Sequence, residues 1–353
     1  MCKSKLHSFL QALPKCEHHV HIEGTLSPEM LFSLAAKNGV KLSSDDPAFA
    51  SPDSLRLRYQ NFTSLDDFLR YSFIGFEVLL TASDFEVLTY EYLKKAYAQT
   101  VRHTEVFFDP QVHIARGVSY QTLLSGMNTA RERAARDFPQ MSVAFIPCLV
   151  RHLPVSSAHD LVSEILSHDH FKGGTLVGFG MSSTEVDRHH CCTHRSLRQA
   201  GVENLTAHYG EEGPPEYVAA ALSDLGVKRI DHGRRAMEDP LLVRQLIDTK
   251  AMLTICPISN VVLRGVQDVK DLPIRQFLDS GVSFSINSDD PAYFGGSLLD
   301  NYCAVQEAFN LSMGNWKDIA RNSVEGSWCS DARKRILMNM IGEAFSDVTI
   351  PNE

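Results

Sequence analysis

The chain reads as an α/β protein folded as a (β/α)8 TIM-type barrel, and three observations carry that reading. Eight short apolar, β-branched runs recur along it, longer segments with helical spacing lie between them, and four of the runs end in strongly polar clusters. Its 353 residues suit one such barrel with insertions, and 44% hydrophobic residues are enough for a sizeable core. The expected organisation is one domain over residues 1–353, with a helical insertion at about 27–100 and a C-terminal helical extension at about 315–347.

The first run is "CEHHVHI". Side chains alternate in a strand, so His19 and His21 of this His-x-His point to one side, where a metal could bridge them, while His18 faces away and reads as structural. The gap before the second run is too long for one crossover helix and holds at least three helical segments. One has Ser27 as N-cap, Pro28 at its first position and Gly39 past its end; another covers roughly 65–80, and a third runs from Ser83. An insertion after a strand's C-terminal end sits over a barrel's mouth, so these helices are either a lid or a brace. "TEVFFDP", "MSVAFIPCLV" and "TLVGFGMS" follow, near-continuous apolar runs of the kind buried on both faces of a parallel sheet. A helical pattern begins after Ser119. "NLTAHYG", "KRIDHG", "AMLTICP" and "VSFSINSDD" complete the eight, with "EYVAAALSDLG" and "DPLLVRQLIDT" as helices among them. The tail beyond Trp328 reads as an amphipathic helix ending in a disordered "VTIPNE".

Composition narrows the partners. A net charge of -9 argues against a nucleic-acid binder. No apolar run reaches the roughly 18 residues that span a membrane. "MCKSKLHSFLQALPK" lacks the apolar core and cleavage site of a secretory signal. Eight scattered cysteines do not resemble a disulfide scaffold and read as reduced thiols of a cytoplasmic protein, with the nucleus also open to it.

On a barrel, the polar groups at strand ends converge at one mouth. The first run supplies His19, His21 and Glu23, the fifth His208 and Glu211, the sixth His232, the eighth Asp289 and Asp290. Three histidines and a carboxylate, here His19, His21, His208 and Asp289, suit zinc, which acidifies bound water. Glu211, three residues past His208, is placed to exchange a proton without being a ligand. Singly, each has a plain structural explanation, such as a hydrogen-bonded strand-end histidine or an Asx-capped turn at "NSDDP". Their coincidence at four strand ends favours a site. "DRHHCCTHR" (187–195) is denser in ligand types but lacks paired Cys-x2-Cys spacing, and reads as a surface segment.

"HVHIEGTL", "TAHYGEEG", "RIDHG" and "SINSDDPAYFGG" come in the order and spacing of the adenosine/adenine deaminase family, which the chain resembles from about Leu13 to Trp328. "LPKCEHHVHIEGTL", "EVFFDPQVH" and "TICPISNVVL" are most similar to its fungal and bacterial adenine deaminase branch. The resemblance implies a barrel of the metal-dependent hydrolase kind, one Zn2+ per chain, no organic cofactor, and a purine base as small-molecule partner. The implied reaction is hydrolysis of adenine to hypoxanthine and ammonia in purine salvage, by attack at C6. Residue by residue, His19, His21, His208 and Asp289 match the zinc ligands and Glu211 the proton donor to N1. His232 matches the histidine that helps deprotonate the metal-bound water, Asp290 the partner of purine N7, and Ser183 a position near N3 where a backbone N–H donates. Glu23 stands where the adenosine branch has an aspartate that contacts ribose. Its longer side chain either occupies ribose space or supports a ligand from behind. Two positions depart from the family pattern: Tyr209 replaces a small residue, and Met181-Ser182-Ser183 replaces Leu-Asp-Ser. Tyr209 alternates away from His208, so it either packs outside the barrel or marks a reshaped pocket. The alternatives are a deaminase of adenosine or of an N6-substituted adenine, a binding protein without turnover, and a secreted nucleoside-degrading factor that would need a signal peptide.

Overall fold

The computed structural model describes residues 4–168, 170–186 and 197–346. Eight strands follow in order: β1 (Lys15–Glu17), β2 (Val101–Phe108), β3 (Ser142–Val150), β4 (Gly180–Ser182), β5 (Thr206–Tyr209), β6 (Arg229–His232), β7 (Met252–Ile255) and β8 (Phe284–Ile286). Neighbours pair in parallel as β1-β2-β3-β4 and β5-β6-β7-β8. Two seams join these halves. Phe179 bridges Leu205, its N–H donating to Asn204 O at 2.9 Å; Val20 bridges Asp289, whose N–H donates to His19 O at 3.0 Å. The sheet therefore closes into a (β/α)8 barrel. Every residue of β5 through β8 is buried, which is why these strands read as continuous runs rather than alternating ones.

The first strand is shorter than its run. The regular ladder stops at Glu17, and the extended chain beyond it serves both flanks in turn: Ile22 N donates to Phe107 O at 2.8 Å and His21 N to Asp289 O at 3.0 Å. β2 begins three residues before "TEVFFDP" and, with β3, supplies the longest ladder.

A short helix, α1 (His7–Ala12), precedes β1, and four more fill the gap after it: α2 (Pro28–Asn38), α3 (Pro52–Tyr59), α4 (Leu65–Phe76) and α5 (Ala82–Ala98). The caps of α2 stand as the sequence predicts. Ser27 accepts from Met30 N–H at 3.3 Å, and Gly39 takes φ 65°, the left-handed stop that favours glycine. α4 ends four residues short of the expected 80, and α3 lies where no separate helix was expected. Toward the C-terminus, helix Met313–Glu325, with Trp316 fully buried, packs against β8 and β1, and helix Asp331–Ser346 packs on it. There Trp328 covers the Arg229 guanidinium at 3.8 Å, and Arg229 pairs with Glu105 at 2.7 Å. The expectations for 187–195 and for "VTIPNE" lie outside the described residues. Among the described residues, no helix is long and apolar enough to cross a membrane.

Candidate active site

The ends of β1, β5, β6 and β8 bring their polar groups to one buried cluster. His19, His208, His232 and Asp289 present ligand atoms within 4.8 Å of one another. His21 joins them, its Nε2 lying 3.1 Å from His208 Nε2 and 3.7 Å from Asp289 Oδ1. His18 stays apart, its two nitrogens held by Ser285 Oγ (3.1 Å) and Ser327 Oγ (2.8 Å).

The surroundings fix the imidazole tautomers. Thr254 Oγ1 donates to Asp231 Oδ1 (3.1 Å), so it accepts from His19 Nδ1–H (2.9 Å), which leaves the lone pair of His19 on Nε2. His208 Nδ1 donates to Met181 O (2.9 Å), beside Asp231, and likewise frees Nε2. Burial, reinforced by His208, lowers His21 to about 3, and burial also lowers His208 and His232. Burial alone would raise Asp289, but His19 and the other imidazoles outweigh it and hold the carboxyl well below its usual range. Imidazole nitrogens thus converge on one carboxylate. His19 Nε2 is buried without a hydrogen-bond partner, 3.1 Å from Asp289 Oδ1. That donor set fits a divalent metal. Burial would lower the His19 imidazole, but Asp289 raises it.

Glu211 and His232 sit against this cluster, His232 Nε2 lying 3.3 Å from Glu211 Oε2 and 3.9 Å from Asp289 Oδ2. Burial, with Asp289, Glu212 and Glu185 nearby, pushes the Glu211 carboxyl well up, which favours a proton on it. Ser259 Oγ donates to Asp289 Oδ2 at 2.7 Å. Ser183, His232 and Asp289 have φ of 80°, 65° and 64°. Such left-handed non-glycine backbone costs on the order of 1–3 kcal/mol each, and it concentrates where side chains must be aimed.

Beside the cluster is a cavity lined by His21, His208, Glu211, Asp289, Asp290 and Ser183, with α4 contributing the apolar side chains Leu65, Phe68, Leu69, Phe73 and Phe76. The insertion therefore walls the pocket. Asp290 is buried, and burial beside Asp289 pushes its carboxyl well up. Ser183 Oγ meets His152 Nδ1 at 2.6 Å. Glu23 is not brought to the cavity wall: its Oε1 accepts from Asp109 N–H (3.1 Å) and meets His113 Nε2 (3.0 Å). Tyr209 is buried outside the cavity with the Arg151 guanidinium 4.5 Å from its ring centre. Sequence reasoning missed Asp231, Thr254 and Glu185, whose parts depend on partners far along the chain. It also passed over Asp109, although Asp109 ends the quoted "EVFFD" at the mouth end of β2, a signal that could have found it.

With the geometry in place, comparison with known proteins gives its setting. A family model described as "Adenosine deaminase" matches residues 14–344. The adenine deaminase of Gibberella zeae is 50% identical over 354 residues, covering 99% of each chain, and that of Aspergillus oryzae is 51% identical over 345 residues, 97% of each. The crystal structure of adenine deaminase from Arthrobacter aurescens superposes with a TM-score of 0.87 at 37% identity, covering 95% of this chain and 99% of that one. The chain therefore belongs to the adenosine deaminase family.

Proposed function

We propose that this chain, acting as a single barrel domain, is a zinc-dependent aminohydrolase that converts adenine and water to hypoxanthine and ammonia, a purine-salvage reaction. The carrying observation is the buried convergence of His19, His21, His208 and His232 on Asp289, with the Glu211 carboxyl, pushed up by burial, at the cavity wall. The relatives named above, adenine deaminases matched over nearly the full chain, support the choice of substrate.

His19, His21, His208 and Asp289 hold the ion. Zinc is the reading because imidazole nitrogens with one carboxylate suit a borderline-soft cation. When bound, it makes water nucleophilic near neutral pH. The residues do the rest. Glu211 delivers a proton to N1, which leaves C6 electron-poor. His232, kept neutral by burial, accepts a proton from the water that attacks C6, and its 3.3 Å approach to Glu211 allows proton exchange between them. Asp290 bonds N7, the backbone N–H of Ser183 bonds N3, and the apolar face of α4 keeps bulk water from the ring. The proton on His232 passes to the amine, which leaves as ammonia, while the new C6 hydroxyl returns a proton to Glu211 and becomes the carbonyl of hypoxanthine. Among the described residues the five cysteines are free, four of them buried, which fits a reducing compartment such as the cytoplasm.

The test is Glu211→Gln. The expected protein keeps its metal, measured by elemental analysis, and loses adenine turnover by about 10²-fold or more. Retained turnover would refute the assignment.

A further inference from the structure

One carboxyl at the cavity wall has no part in the chemistry above. Asp109, directly after β2, lines the cavity together with Ser182, Ser183 and Asp290. Its position is fixed from two sides. Oδ1 accepts from Ser182 Oγ at 2.9 Å, and its backbone N–H donates to Glu23 at 3.1 Å. Oδ2 lies 4.0 Å from His21 Nδ1, beyond hydrogen-bond reach. Asp109 is buried, so Oδ2 is costly to leave unpaired until a donor arrives.

The perimeter of a purine runs N7–C8–N9–C4–N3. With Asp290 at N7 and Ser183 at N3, N9 falls between those two groups. Asp109 lines the same cavity as both. It is bonded to Ser182, the neighbour of Ser183. We infer that Asp109 accepts the N9–H of the free base through Oδ2, and that this contact selects a base over a nucleoside. The inference rests on the adenine reading above and names how that site chooses its substrate. In a 9-substituted purine the N–H is gone, and a buried acceptor is left unpaired, the situation in which sites reject an analogue most strongly. Glu23 then acts one step behind, by holding the Asp109 backbone.

The experiment compares kcat/KM for adenine and 9-methyladenine in the metal-replete wild type, in Asp109→Asn and in Asp109→Ala. Wild type is expected to favour adenine by more than about 10²-fold. Both variants are expected to lose adenine far more than 9-methyladenine, so that the ratio falls below about tenfold. Equilibrium binding of hypoxanthine and 9-methylhypoxanthine repeats the comparison without turnover, so a poorly active variant still reports. A ratio that stays unchanged in folded, metal-containing variants overturns the role of Asp109. Wild type that treats the two bases alike overturns it whether or not the variants fold. Wild type inactive on both, yet active on another aminopurine, overturns the adenine reading itself.

Discussion

Glu185, just beyond β4, gives its whole carboxylate to backbone. Oε2 accepts from Gly210 N–H at 3.0 Å, and Oε1 from Glu212 N–H at 2.6 Å and Gly213 N–H at 2.8 Å. These amides flank Glu211, so a side chain from one strand end clamps the loop that carries the proposed proton donor. Arg234 adds a bond from Nε to Glu211 O at 2.9 Å. Glu185→Ala is expected to lower kcat by roughly tenfold to a hundredfold through misplacement of Glu211, with metal content unchanged. Steady-state kinetics beside elemental analysis checks this, and an unaltered kcat would count against the clamp. At this scale the legible residues were those whose chemistry shows in a short motif. His-x-His at 19 and 21, and the Asp289–Asp290 pair, announce themselves by spacing and by their place at strand ends. Glu185, Asp231 and Thr254 do not, because their roles come from partners across the barrel: the Thr254 that orients His19 lies 235 residues away.

At the scale of elements, the first strand carries more than its three paired residues suggest. Gly24, just past it, lets the backbone approach the β8 loop: a Cβ there would stand 2.0 Å from Asp290 Oδ1. Gly24→Ala must displace Asp290 or the backbone, and it is expected to reduce kcat/KM for adenine by tenfold or more, seen chiefly in KM if Asp290 only binds. At the other end of the strand, Lys15 is buried with Nζ donating to Leu13 O (2.8 Å) and Thr100 Oγ1 (2.9 Å). Burial, with Arg102 adding repulsion, lowers its amine to about 7. An unfolded lysine titrates near 10.4, so between about pH 7 and 10 the unfolded chain holds a proton that the folded chain lacks. Stability should therefore rise with pH across that window, relative to Lys15→Met, by up to about 1.4 kcal/mol per unit. Denaturant unfolding of both proteins at pH 7, 8 and 9 measures the difference, and parallel pH profiles would contradict it. Caps at Ser27 and Gly39 made α2 legible to its ends. The length of β1 was not, since its continuation is shared between β2 and β8 through single bridges that leave no trace in residue pattern.

The whole molecule turns a count of eight runs into one mouth because the two four-stranded halves meet at two seams. One of those seams, Val20 to Asp289, lies between the first and last stretches that carry proposed metal ligands. Closing the barrel therefore brings His19 and His21 to Asp289 across nearly the entire sequence. The alternation of apolar runs and helices made that closure legible. The packing of α4 over the cavity was not, because an amphipathic helix looks the same whether its apolar face covers a pocket or a barrel wall. The measurement that tests the central claim most directly is release of the amine, ammonia from adenine and adenosine and methylamine from N6-methyladenine, by purified, metal-replete protein offered the three in parallel. The expected result is rapid release from adenine, with hypoxanthine as the product, and much slower release from the other two. Turnover of adenosine or N6-methyladenine without adenine, or no release from any of the three, would contradict it.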